Sequence, residues 1–425
     1  MRHFLTALLL AGAAASTAAA ETVVVTADRM VDVLAGRVVE EPVVVITDGR
    51  IASVVGRGGA RPLIPSGAKR IDLPGKTLLP GLIDMHVHLD SNPRYGGYSG
   101  LQFTDMFWVA QGVQNARDML GAGFTTVRNV GSDNYADVGY KQAIEEGLMA
   151  GPRIVPAAHS LSATGGHCDQ TYLPPSFNAR GKAVGDGAQE LRNRVREQRK
   201  YGAEVIKVCA TGGVFSRNTE PGQQQLSEEE LRAIADEAHQ WGLKVAAHAH
   251  GAAGIKAAIR AGIDTIEHAS LIDAEGIRLA RERGTYLAMD IFNTEYTQAE
   301  GAKNGVLEDN LRKDREIAQL QRDNFRAAHR AGVKMVFATD AGVMPHGSAG
   351  GQFRWMVQYG MSPMEAIQSA TRNAALALGR EKDVGAIAVG RYGDIVAVDG
   401  DPLADIRQLE DIDVVIKSGV VVKED

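Results

Sequence analysis

A pair of histidines at strand spacing is the feature of this sequence best suited to chemistry. The stretch Gly81-Leu-Ile-Asp-Met-His86-Val-His88-Leu89 follows an apolar run and alternates with the period of a β-strand. His86 and His88 therefore leave one face of the strand and Val87 the other, so two imidazoles can share one metal ion. Eleven histidines in 425 residues would give about 0.3 His-x-His pairs by chance, so the pair gains meaning only from further ligand types elsewhere.

Such types recur where a particular fold would collect them. Strands are expected at residues 78–88, 125–130, 153–157, 205–210, 244–249, 265–269, 285–290 and 334–340, with amphipathic helical segments at 227–240, 252–261 and 310–331 between them. Glycines at 121, 123, 202, 242, 262 and 332 fall just before strands, where a helix ends and the chain turns back into the sheet. Eight such units predict an α/β fold, a (β/α)8 barrel whose active site would lie at the C-terminal strand ends. At those ends stand His86 and His88, Lys207 in Val-Ile-Lys-Val, His248 in Ala-Ala-His-Ala-His250, the pair Glu267-His268, and Asp340 in Thr-Asp-Ala-Gly.

Each residue also has a plainer role. A single strand histidine is often a core residue satisfied by a neighbour, and Asp340 alone could cap the next helix. Lys207 is harder to place. Inside an apolar strand its ammonium must find a partner, lose its proton or reach the rim. A neutral lysine can add CO2 to form a carbamate, whose two oxygens could bridge two cations.

The length of 425 residues suits one large barrel, expected at 78–380, plus a small β-sandwich domain built from both chain ends, 21–77 and 381–425. Those ends are rich in Val and Ile and punctuated by turn residues such as Asp48-Gly49. Hydrophobic content of 44% with 23% charged residues is that of a soluble globular protein, and a net charge of −6 gives no support for nucleic-acid binding. Residues 1–20 read as an export signal, with Arg2, an apolar segment over 4–11 and Ala18-Ala19-Ala20 before Glu21. The apolar segment is too short for a good membrane anchor, so a periplasmic or secreted protein with no membrane span is expected. Cys168 and Cys209 are the two cysteines. No disulfide framework is expected, and Cys209 reads as a small buried filler.

The run Leu-Pro-Gly-Leu-Ile-Asp-Met-His86-Val-His88, with Lys207, His248, His268 and the Thr-Asp340-Ala-Gly end, resembles the amidohydrolase superfamily. The likeness is greatest to its imidazolonepropionase-like branch, which includes Xaa-Pro dipeptidases, carboxypeptidase-like enzymes and ochratoxin-hydrolysing amidohydrolases, and it spans residues 21–422. It implies a TIM barrel holding two divalent metal ions, with zinc the usual occupant. His86, His88 and Asp340 would bind one ion, His248 and His268 the other, and a CO2-derived carbamate on Lys207 would bridge them. It also implies amide hydrolysis by a metal-activated hydroxide, with Asp340 moving the proton to the leaving amine. His250 would donate to the developing oxyanion. Peptide-cleaving relatives often carry Tyr there, so the residue type departs while a donor remains.

Around the mouth, His167 in Ser-Ala-Thr-Gly-Gly-His resembles the family's substrate loop. Arg217 is a candidate partner for a substrate carboxylate, His346 a further loop histidine, and Tyr95 one of several aromatics that would line an entrance. Each could equally stabilise its own loop. These features imply an enzyme that releases a C-terminal amino acid from a dipeptide or N-acyl amino acid, with ochratoxin A a candidate by resemblance alone. The rivals are a mononuclear cyclic-amide hydrolase or deaminase of the imidazolonepropionase type, and a non-catalytic metal-binding barrel. The resemblance further implies a homo-oligomer, with an octamer as one form.

Overall fold

Val- and Ile-rich runs from both chain ends pair into one eight-stranded sheet. Its hub is Thr22–Asp32, which lies antiparallel to Arg37–Glu40 and Val43–Thr47 and parallel to Lys69–Pro80. Arg50–Val55 extends one side. On the other, Ile395–Asp399 pairs with Lys69–Pro80, placing Val396 opposite Leu79, and Val414–Lys417 and Val420–Glu424 follow. Val23, Val25, Ile46, Leu78, Ile395 and Ile416 share a core, where each fully buried aliphatic side chain contributes roughly 1.5–3 kcal/mol. The Val-rich stretch at 37–47 forms two strands, Arg37–Glu40 and Val43–Thr47. Glu41 takes a φ of 49°, and Pro42 has no N–H to give the ladder. The structure is a computed structural model describing residues 21–424; the expected export signal lies outside the described residues.

The chain leaves this sheet at Gly81, so the strand expected at 78–88 is also two, Lys69–Pro80 and Leu82–Val87. A Cβ at position 81 would stand 2.1 Å from Thr125 Oγ1, and the Gly81 N–H donates to Asp394 O. Glycine alone allows that approach.

Beyond it, Leu82–Val87, Phe124–Asn129 and Arg153–Pro156 pair in parallel, as do Val205–Cys209, Lys244–Gly251, Thr265–Leu271, Tyr286–Ala288 and Met335–Val336. Backbone hydrogen bonds join the two groups at both margins. Leu161 N–H donates to Lys207 O and Cys209 N–H to Leu161 O at one; His88 N–H donates to Ala341 O and Asp340 N–H to His86 O at the other. Eight parallel strands thus follow in chain order with hydrogen bonds across every gap. Leu82–Val87, Phe124–Asn129 and Val205–Cys209 are buried at every position, as parallel strands covered on both faces should be.

The helices follow their local signals. Glu228–Gln240 starts at a capping box in which Ser227 Oγ accepts the Glu230 N–H and Glu230 accepts the Ser227 N–H, a stabilisation of about 1 kcal/mol. Ala252–Ala261 stops at Gly262, whose φ is 95°. The longest helix, Glu308–Arg330, buries Leu311, Ile317 and Phe325, and also Lys313, which donates to Ser216 O in a strand-end loop, and Gln321, which donates to His268 O. Among the described residues no helix is long and apolar enough to cross a membrane.

Candidate active site

The C-terminal strand ends surround a cavity of about 210 Å³ lined by His86, His88, His167, Lys207, His248, His250, His268 and Asp340. The orientation of each ring follows from its second nitrogen. His86 Nδ1 lies 2.9 Å from Glu267 Oε2 and His88 Nδ1 lies 3.2 Å from Gly131 O. A carboxylate and a carbonyl only accept, so each Nδ1 carries the proton and each Nε2 keeps its lone pair. Both Nε2 atoms point at one oxygen, Asp340 Oδ1, at 3.4 and 3.5 Å. His268 Nδ1 is held by Asp290 Oδ1 at 2.9 Å, His250 Nδ1 by Ser270 Oγ at 2.8 Å, and His248 Nε2 by Gly212 O at 3.1 Å.

Three groups of donor atoms lie within 4.8 Å of one another: His86, His88 and Asp340; His248, His250 and His268; and His268, Asp290 and Asp340. Burial holds His86, His248 and His250 well below the ordinary histidine range, and it brings His88, beside the Lys207 charge, down to about 3. These imidazoles are neutral, the form that binds metal. At His268 burial also opposes the charge, but the neighbouring Asp290 carboxylate outweighs it and raises the pKa. Burial lifts Asp340 to about 6, against the pull of His268 and Lys207. Lys207, 3% exposed, is brought by burial down to about 8 although Glu267 and Asp340 favour its charge.

Two of these residues hold left-handed backbone, His268 with φ 66° and Asp340 with φ 57°. Such conformations cost of order 1–3 kcal/mol each and concentrate at functional sites. The Asp340 N–H still donates to His86 O at 2.9 Å, so the turn is locked to the strand bearing the histidine pair.

The amidohydrolase family model matches residues 77–422. The chain belongs to the amidohydrolase family. An ochratoxinase of Aspergillus niger is 33% identical over 358 residues, covering 79% of this chain and 72% of the relative. A Xaa-Pro dipeptidase structure with methionine bound in its active site superposes with a TM-score of 0.88 at 35% identity, covering 95% of this chain and 100% of that one. A prolidase complexed with N-methylphosphonate-L-proline gives 0.87 at 33% identity, with coverage of 95% and 100%. This amidohydrolase is a hydrolase acting on amide bonds, and the metal use common in its family matches the donor groups above.

Around the amidohydrolase site, three mouth residues singled out in the sequence do not line the cavity. Tyr95 packs against Phe103, Phe107 and Trp108, with ring centroids 4.8, 5.7 and 5.7 Å away, because the long loop builds its own apolar cluster. Arg217 is exposed and donates to the Tyr98 hydroxyl. His346 Nε2 donates to His88 O at 3.1 Å, bracing the end of the strand that carries His86. His167 does line the cavity, its ring stacked on His248 with centroids 4.1 Å apart.

The cysteines require a correction. Cys168 and Cys209 are not two thiols, and Cys209 is not a simple filler: they form a disulfide between residues 41 positions apart. Folding packs the loop after Arg153–Pro156 against the end of Val205–Cys209, a juxtaposition that neither local pattern contains.

Four supporting residues of the amidohydrolase site went unassigned in the sequence. Glu267 accepts from Arg128 and faces His86. Asp290 orients His268 and accepts from Gln321 and Asn293. Asp84 accepts both the His86 N–H and the Thr339 hydroxyl. Arg128 and Asp290 carried usable signals, a charged residue inside the apolar strand at 125–130 and an acid closing the strand at 285–290, the same two signals that drew attention to Lys207 and Asp340.

Proposed function

We propose that this chain is an exported binuclear metal amidohydrolase that releases a C-terminal amino acid from a dipeptide or N-acyl amino acid. Its frame would be a closed (β/α)8 barrel over residues 78–380 with a small β-sandwich domain from 21–77 and 381–425. The observation that carries this reading is the convergence of Lys207, four strand-end histidines and Asp340 on one cavity. The donor set fits divalent cations such as Zn²⁺: His86, His88 and His248 as neutral imidazoles, His268 oriented by Asp290, each ring held through one nitrogen, and a buried carboxylate. His86, His88 and Asp340 would hold one ion, His248 and His268 the second, and a carbamate on Lys207 both. When bound, the ions supply Lewis acidity toward the amide carbonyl and make water a usable nucleophile at neutral pH.

The side chains do the rest. Asp340, facing both His86 and His88, takes the proton of the attacking water and delivers it to the departing amine. With the Ser270 hydroxyl on its Nδ1, His250 keeps Nε2–H for the carbonyl oxygen as negative charge builds there. His167 closes the cavity above His248 and contacts the substrate. The likeness to a methionine-bound Xaa-Pro dipeptidase and a proline-phosphonate-bound prolidase favours release of a single amino acid. The likeness to ochratoxinase makes ochratoxin A a candidate substrate.

The test is a library of dipeptides and N-acyl amino acids assayed together with metal analysis and intact mass. The expected result is two metals per chain, one CO2 added at Lys207, and amino-acid release. One metal on an unmodified Lys207, with turnover of a cyclic amide, would replace this reading by the mononuclear one. A metal-replete chain inert toward amides and esters would leave a binding barrel. Fractionation of the native host tests export, and light scattering tests the proposed homo-oligomer.

A further inference from the structure

The Cys168–Cys209 disulfide lies in the wall of the proposed catalytic cavity. Cys209 is two residues past Lys207 in Val205–Cys209, so both side chains leave the same face of that strand. Cys168 immediately follows His167. The loop carrying His167 is long and nearly free of regular structure: between the strand ending at Pro156 and the helix starting at Ala188, its one named element is the short 3-10 turn Pro175–Phe177. A loop of that kind has conformational freedom of its own.

Besides stacking on His248, His167 is held by three attachments. Its ring Nδ1 lies 2.8 Å from Ser216 Oγ, its N–H donates to Gln225 Oε1 at 2.8 Å, and the next residue is joined to Cys209. The first two reach another loop. Among the described residues the disulfide is the single covalent link from the His167 loop to a strand. The fit it maintains is close, since a Cβ added to Gly213 would stand 2.3 Å from the His167 ring.

We propose that the Cys168–Cys209 disulfide is a positioning element: it holds His167 over the cavity, and its reduction frees the loop and weakens substrate binding. This rests on the reading of the cavity as an amide-hydrolysing site. A dithiol would supply the reaction. One thiolate attacks a cystine sulfur to form a mixed disulfide, and its second thiol displaces the protein sulfur. Two electrons and two protons then reside on Cys168 and Cys209, and the reagent leaves as a cyclic disulfide.

The experiment compares oxidised enzyme, enzyme reduced with a phosphine or a dithiol, and the double variant Cys168→Ser/Cys209→Ser. Metal content and melting temperature are recorded for each. Reduction is expected to raise KM about tenfold with kcat within about threefold, the pattern of lost binding shared by ground and transition states. Hydrogen exchange should quicken over residues 165–181 and stay constant over 205–208 and 308–330. The double variant should match the reduced enzyme and ignore the reductant. In a His167→Ala background reduction should leave KM unmoved, because the effect runs through that ring. Equal exchange in the oxidised and reduced loops overturns the proposal, as does a loss of metal or of kcat at constant KM. If the oxidised enzyme turns over no amide, the catalytic reading fails separately, and loop exchange alone then decides whether the disulfide positions His167.

Discussion

Glu267 and His86 meet at 2.9 Å, carboxylate Oε2 to imidazole Nδ1, with side chains 0% and 1% exposed. Arg128 occupies the other carboxylate oxygen at 2.8 Å. The pairing turns His86 Nε2 toward Asp340, and it depends on a backbone exception next door. Alternation along Thr265–Leu271 would send Glu267 and His268 to opposite faces. The left-handed φ of 66° at His268 lets both reach His86.

Replacing Glu267 therefore separates two effects. Glu267→Gln keeps an acceptor for His86 and should weaken metal affinity about 10–100-fold, read by competition with a chelating dye. Glu267→Ala leaves the Arg128 guanidinium buried without a counter-charge and should cost about 3–5 kcal/mol in denaturant unfolding. Adding Arg128→Met to that variant should recover part of the loss. A Glu267→Ala protein as stable as the parent would show that the pair does not hold the site.

Asp340→Asn keeps the shape of the side chain and removes the proton acceptor. A fall in kcat of about 10²–10⁴-fold is expected with the melting temperature little changed. Retention of most of the activity would take the proton-transfer role away from Asp340.

Lys207→Ala removes the amine that would carry CO2. Metal content should fall and activity vanish, and a short-chain carboxylate in the buffer should restore part of both by standing in for the carbamate. Native mass spectrometry of the parent should show one CO2 that acid removes. If Lys207→Ala binds metal and turns over like the parent, the bridging role is lost.

Chelation gives a readout independent of turnover. A metal held by the folded state alone stabilises it by about 4 kcal/mol at a thousand times its Kd. Stripping the protein should lower its melting temperature, and Zn²⁺ should restore it. An unchanged melting curve would indicate that these side chains hold no tightly bound ion.

The helices at 227–240 and 252–261 were readable almost to the residue, as Glu228–Gln240 and Ala252–Ala261, because their caps and apolar periods are local. The strands at 285–290 and 334–340 shrink to Tyr286–Ala288 and Met335–Val336. Their last residues turn out of the ladder to bring Asp290 and Asp340 over the cavity, a geometry no period of two anticipates.

The sequence by itself determined which strand ends carry His, Lys and Asp side chains of metal-ligand type, since side-chain direction in a strand follows from spacing along a few residues. The tertiary structure decided the pairings: Glu267 with His86 across 181 positions, Asp290 with His268 across 22, and Cys168 with Cys209 across 41. Those contacts arise only when separate strands and loops pack at one end of the sheet. Their partners are set by burial and register, which a linear pattern does not contain.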